Sequence, residues 1–332
     1  MKIFFLFLWA SLAVSCNSTK LTDSTDAKAR YAATITAEKL KEHLYIYASD
    51  EMEGRMTGSP GQKKAVDFLR DFYINNDITS PLEDTYYQPI PASYFNGRAF
   101  GDSENVLAYI EGSEKPEEVI VISAHLDHVG IDEQGNIFNG ADDDGSGTVA
   151  IMEIARAFKD AYNAGFKPKR SILFLHVTGE EIGLLGSKFY VEHPVFSLSN
   201  TVCNLNIDMI GRIAPEKAEN PEYIYLIGSN RLSQELQDIS EELNSKYTKL
   251  ELDYKFDDPA DPNRFFYRSD HYNFAKHNIP VIFYFNGVHE DYHKITDTPD
   301  KIEYELLAKR TQLIFLTAWE LAYRENRLKL DN

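Results

Sequence analysis

Val119-Ile120-Val121-Ile122-Ser123-Ala124-His125-Leu126-Asp127-His128 decides how this chain folds. The run opens with four β-branched residues and ends in two histidines and an aspartate. Apolar residues at every position, not every second one, are what a strand buried on both faces requires. Similar runs occur at 106–110, 172–177, 202–207, 223–227 and 281–285. Helical spacing lies between and around them. Residues 61–73 place Ala65, Phe68, Leu69 and Phe72 on one face, 148–158 do the same with Ile151, Ile154, Ala155 and Phe158, and a last helix spans 304–323. This alternation predicts an α/β fold: a three-layer α/β/α sandwich around a mixed, mostly parallel sheet.

The chemistry follows the strands. The run 119–123 leads into His125, Asp127 and His128; the run 172–177 into Glu180 and Glu181; the run 202–207 ends at Asp208; and 281–285 leads through a short loop to Tyr292 and His293. Sites in open α/β sheets collect beyond the carboxyl ends of strands. A fifth contribution is the helix-opening stretch Asn139 to Gly147, which contains Asp142, Asp143 and Asp144. Taken singly, each piece has an ordinary reading. The aspartates suit a helix start, and a glutamate pair suits a surface. The spacing and terminal Glu of an EF-hand calcium loop are absent. His125 and Asp127, two apart in extended backbone, face one way and His128 the other. His176 lies within an apolar strand and reads as a core residue with a hydrogen-bond partner. His43, His193 and His277 read as surface or helix positions, while His271 and His289 fall near the proposed site.

In combination the pieces are far more specific. His125-Leu126-Asp127, Gly140 to Gly147, Gly179-Glu180-Glu181-Ile182-Gly183-Leu184-Leu185-Gly186-Ser187, Asn206-Ile207-Asp208-Met209-Ile210-Gly211-Arg212, Ser269-Asp270-His271 and Tyr292 to Thr298 occur in one order. Together they resemble the zinc exopeptidases of peptidase family M28, aminopeptidase-like enzymes with a co-catalytic metal pair. The resemblance covers roughly residues 45–310. It implies two zinc ions, with manganese or cobalt as possible substitutes, held by His125, Asp143, Glu181, Asp208 and His293, Asp143 bridging. It implies Glu180 as general base, Asp127 orienting His125, and Tyr292 stabilising an oxyanion. The expected function is hydrolysis of the N-terminal peptide bond of peptides. The alternatives are a glutaminyl cyclase-like single-zinc enzyme and a non-catalytic binding lipoprotein of the same fold. No Gly-x-Ser-x-Gly elbow and no His-Glu-x-x-His motif is present. Loops 213–222 and 253–268 are expected to wall the substrate pocket, with Arg212 and Asp270 either lining it or ion-paired.

Composition sets outer bounds. The 332 residues are 43% hydrophobic and carry a formal net charge of -18, which supports a sizeable core and disfavours nucleic acid as a partner. Two cysteines, Cys16 and Cys203, exclude a disulfide scaffold. Lys2, an apolar stretch at 3–14 and Ala13-Val14-Ser15-Cys16 resemble a bacterial lipoprotein leader, the alternative being an ordinary signal peptide cleaved nearby. The expected organisation is a leader at 1–16, a flexible tether at 17–33 and one zinc peptidase domain at 34–332. The protein would be exported to the periplasm or outer membrane, touching a membrane only through lipidated Cys16.

Overall fold

The computed structural model describes residues 24–331, so the leader and Cys16 lie outside the described residues. In chain order the strands are β1 (Tyr87–Ile90), β2 (Ser103–Ile110), β3 (Lys115–His125), β4 (Gly130–Ile131), β5 (Ile137–Phe138), β6 (Arg170–Val177), β7 (Thr201–Ile207), β8 (Tyr223–Ile227), β9 (Glu251–Asp253) and β10 (Val281–Phe285). The helices are α1 (Ser24–Ala32), α2 (Ala37–Tyr47), α3 (Pro60–Asn75), α4 (Gly147–Asn163), α5 (Leu185–Glu192), α6 (Gln234–Leu243), α7 (His271–Ala275) and α8 (Tyr304–Tyr323). Apart from the β4–β5 hairpin, the strands form one sheet in the order β1-β2-β6-β3-β7-β10-β8-β9. Its centre, β6-β3-β7-β10, is parallel; β1-β2, β2-β6 and β10-β8 are antiparallel.

Period-2 geometry explains the continuous apolar run of β3. Ile120 and Ile122 pack with α4 and α8 in the larger core. Val119 and Val121 point the other way, into a second core with Tyr190 of α5 and Phe274 of α7. Both layers thus draw on one strand, and each fully buried aliphatic side chain contributes roughly 1.5–3 kcal/mol. At the start of α3, Ser59 Oγ accepts from the Gln62 amide at 3.2 Å and Pro60 stands at the first helical position, two strong initiation signals.

The polar segment expected to be a tether through residue 33 is partly built into the fold. Helix α1 docks on α8: Tyr31 stacks on Trp319 with ring centroids 6.1 Å apart, and Lys28 meets Glu320 at 2.6 Å. Among residues 27–32 of this helix only Ala27, Tyr31 and Ala32 are buried, so its apolar signal is thin, and the Lys28 partner lies 292 residues away. Among the described residues, no helix is long and apolar enough to cross a membrane.

His176 is the core residue anticipated: Nε2 lies 2.6 Å from Tyr73 Oη. Burial pushes His176 and His271 down to about 3 from an ordinary 6.5. Both are therefore neutral when folded, and the unfolded chain takes up more protons once pH falls below 6.5. Their contribution is complete above that value and declines towards pH 3, by up to roughly 1.4 kcal/mol per pH unit for each. The urea midpoint should fall from pH 7 to pH 4, less steeply in His176→Gln; equal slopes in the two proteins would refute this.

Candidate metal centre and active site

Strand β3 stops at His125, whose amide donates to Asp144 Oδ2 at 3.2 Å. His125 Nε2 stands 3.1 Å from Asp143 Oδ1 and 3.7 Å from Asp208 Oδ1. Asp143 Oδ2 lies 3.0 Å from His293 Nε2, which is also 3.0 Å from Glu181 Oε2. One aspartate therefore stands between two groups, His125 with Asp208 and His293 with Glu181. All five residues named from the sequence meet at one spot.

Two sets of donor atoms lie within 4.8 Å of one another, His125-Asp144-Asp208 and His128-Asp143-Glu181. Asp144 is already committed. Its oxygens accept from the amides of His125, Met209 (3.1 Å) and Gly147 (2.9 Å), which makes it the anchor of the loop. Asp142 is similarly occupied, accepting from Gly211 N at 2.7 Å and facing His289 Nε2 at 3.0 Å. Asp143 Oδ2 instead is buried without an aligned hydrogen-bond donor, its near neighbour being His293 Nε2 at 3.0 Å.

Supporting contacts explain the surrounding motif residues. Ser269 Oγ donates to Asp208 Oδ2 at 2.6 Å, and Asn206 Nδ2 donates to Ser269 Oγ at 2.8 Å. Asp297 accepts the amides of Asp142 and Asp143, tying the loop after β10 to the aspartate loop. Arg55 is fully buried and donates to the carbonyls of Tyr47, Leu126, Asn139 and Gly140. Asp270 accepts from Ser187, and Arg212 pairs with Asp291 at 2.9 Å, so Arg212 serves as a structural ion pair.

Asp127 acts differently from the expectation. Its carboxylate is 3.8 Å from His125 Nδ1, too far for a hydrogen bond, while its backbone carbonyl is 3.0 Å away. The carboxylate instead accepts from the Glu180 amide at 3.2 Å and Thr57 Oγ at 2.8 Å. Asp127 thus orients the histidine through its backbone and seats Glu180 through its side chain.

His128 does not point away as its spacing predicts. Its Nδ1 lies 2.7 Å from Glu181 Oε1 and 3.9 Å from Asp143 Oδ2, and its ring meets that of His293 edge-on. Alternation holds only inside a strand; β3 ends at His125, and three residues later it no longer assigns a side. Closeness to His125 in sequence is the one signal that points to it.

Glu180 lines a cavity beside Asp143 and Asp208, with walls from Met209, Phe265, Phe283, Phe285 and Val288. Removal from water pushes its carboxyl well above the ordinary range; His125 opposes this, and Asp208 and Glu181 add to it. Tyr292 borders the same cavity and stacks on His293 at 3.9 Å. Its hydroxyl is held protonated, by burial and then by the nearby carboxylates. The 253–268 loop supplies Phe265 and Arg268, as expected of a pocket wall. The 213–222 loop does not: Ile213, Pro221 and Glu222 border a separate surface groove.

The residues fit metal ions. Asp143 Oδ2, Glu181 Oε1 and both His128 nitrogens are buried without aligned hydrogen-bond partners, a costly state that cations relieve. Burial works against charging His293, yet its bonds to Asp143 and Glu181 outweigh this and raise it to about 10, so the carboxylates draw positive charge to this spot. Imidazole nitrogen and carboxylate oxygen are the donors of borderline divalent metals.

An α/β sandwich with a buried histidine and carboxylate cluster beyond its parallel strands defines a class of metal-binding proteins. Residues 105–318 match the model of peptidase family M28, and the chain belongs to that family. A probable glutamate carboxypeptidase LAMP1 of Arabidopsis thaliana is 35% identical over 117 residues, 35% of this chain and 16% of that protein. Leucine aminopeptidase 2 of Trichophyton equinum is 31% identical over 203 residues, 60% of this chain and 36% of that protein. The chain thus spans well under two thirds of these curated relatives. The structure of BSAP, a zinc aminopeptidase from Bacillus subtilis, shares the fold with a TM-score of 0.67 at 16% identity, over 88% of this chain and 96% of that one.

Proposed function

We propose that this chain is a zinc-dependent aminopeptidase with two metal ions in one site, one held by His125 and Asp208, the other by Glu181 and His293, and Asp143 shared. The observation that carries this is Asp143, with Oδ1 facing His125 and Oδ2 facing His293. The fold neighbour described as a zinc aminopeptidase and the relative named leucine aminopeptidase support metal and reaction. When bound, the metal pair supplies Lewis acidity, which lowers the pKa of water towards ~7 and polarises a carbonyl.

The chain's own residues do the rest. The acidic cavity attracts a free α-amine, which favours the N-terminal bond, and the apolar walls receive the first side chain. Glu180, seated by Asp127, takes a proton from water as its oxygen attacks the scissile carbonyl carbon, then returns a proton to the nitrogen as the C–N bond breaks. Tyr292 keeps its proton and donates to the developing oxyanion. The leader at residues 1–16 supports export and lipid anchoring at Cys16.

Zinc titration of purified protein beside a substrate panel tests this reading. It should take up about two zinc ions per chain and release single residues from peptides with a free N-terminus. One ion with pyroglutamate formation would select the cyclase. Release only from the C-terminus of N-blocked peptides would select a carboxypeptidase, and cation binding without turnover a binding protein.

A further inference from the structure

The geometry points to Arg268 as the group that recognises a carboxylate on the substrate, so that preferred substrates carry a carboxylate near the scissile bond. This deepens the aminopeptidase reading and rests on it. The cavity is acidic at Asp143, Glu180 and Asp208 and apolar along its phenylalanine wall; among its lining residues, Arg268 alone carries a positive charge. A site for neutral apolar residues needs no cation at that position.

The guanidinium is free to bind. Its Cζ lies 5.0 Å from the centre of the Phe265 ring, and no carboxylate among the described residues pairs with it. Arg212, by contrast, is neutralised by Asp291. Contact with an aromatic ring restrains a guanidinium without consuming the in-plane N–H donors that match a carboxylate in bidentate fashion.

Its backbone is tied to the centre. Arg268 N donates to Phe265 O at 3.0 Å, and the next residue, Ser269, donates to Asp208. The cation is therefore carried on the segment that also holds a proposed metal ligand. In a chain of net charge -18, an anionic substrate gains nothing from the surface at large, and Arg268 is the cation on the cavity wall placed to receive its carboxylate.

The carboxylate has two possible sources, the C-terminus of a dipeptide or the side chain of an N-terminal Asp or Glu. The zinc-loaded wild type, Arg268→Gln and Arg268→Lys are assayed on Leu-Ala against Leu-Ala-amide, and on Glu-p-nitroanilide against Leu-p-nitroanilide. In Arg268→Gln one of the two kcat/KM ratios should fall about tenfold, through KM, and Arg268→Lys should recover part of it. A fall in the first ratio identifies the C-terminal carboxylate, and in the second the acidic side chain. Both ratios unchanged in Arg268→Gln overturns the proposal. If the wild type cleaves none of these substrates, the aminopeptidase reading fails by itself. Calorimetric binding of Leu-Ala and Leu-Ala-amide to wild type and Arg268→Gln then decides the role of Arg268: a preference for the free carboxylate that Arg268→Gln loses supports it, and equal affinities or no binding overturn it.

Discussion

Glu180→Gln should lower kcat by about 10²–10⁴-fold, the range of general acid–base catalysis, while the protein still takes up its metal. The substitution keeps size and removes only proton-accepting capacity. The Glu180 amide remains anchored on Asp127, and the hydrogen-bonded framework around Asp208 and Asp297 is untouched. Position also favours this prediction: Glu180 lines the cavity beside Asp143 and Asp208 without being one of the five proposed ligands. Metal analysis and steady-state kinetics on one preparation check it. Turnover close to wild type would remove Glu180 from the mechanism, and loss of metal would make it a ligand.

Asp143→Asn should act on both metal positions at once. An amide offers one oxygen where the carboxylate offers two, and its nitrogen is a poor donor to a metal. Because Asp143 faces His125 through one oxygen and His293 through the other, removing either leaves one group incomplete. Affinity should drop by more than the roughly 10–100-fold typical of mutations one step removed from a metal, and turnover should fall with it. Competition with a chelator of known affinity measures the loss. Asp144→Asn is the discriminating comparison: it leaves one oxygen where two accept the amides of His125, Met209 and Gly147, so its main effect should be on stability. If Asp144→Asn loses metal and Asp143→Asn keeps it, the bridging assignment moves to Asp144.

Residues whose surroundings are their own strand could be read from the chain. The central strands show as apolar runs because both faces are covered, and their carboxyl ends show where polar residues take over. Edge strands escaped for the converse reason. Strand β1 contains Pro89 and β9 is three residues long, so neither shows a continuous run. Helix α1 escaped because its stability comes from Trp319 and Glu320. Within the site, residue types and order were legible, but contacts beyond the strand ends were not. Whether Asp127 meets His125 through its carboxylate or its carbonyl, and which way His128 turns, depend on loop dihedrals that no periodicity encodes.

Arg55 shows what the loops gain from their scaffold. It binds carbonyls on the segment after His125 and on the segment before Asp143, and its guanidinium also lies over the Tyr47 ring at 4.7 Å. The two segments are thus held together by the polypeptide itself. In small domains where a metal organises an otherwise unfolded chain, its removal unfolds the protein. Here the Arg55 ties are part of the fold, so the backbone around the site is expected to stay in place when metal is removed, as circular dichroism with and without a chelator would show. One metal can then be exchanged for another by the movement of side chains, while the backbone around them stays in place.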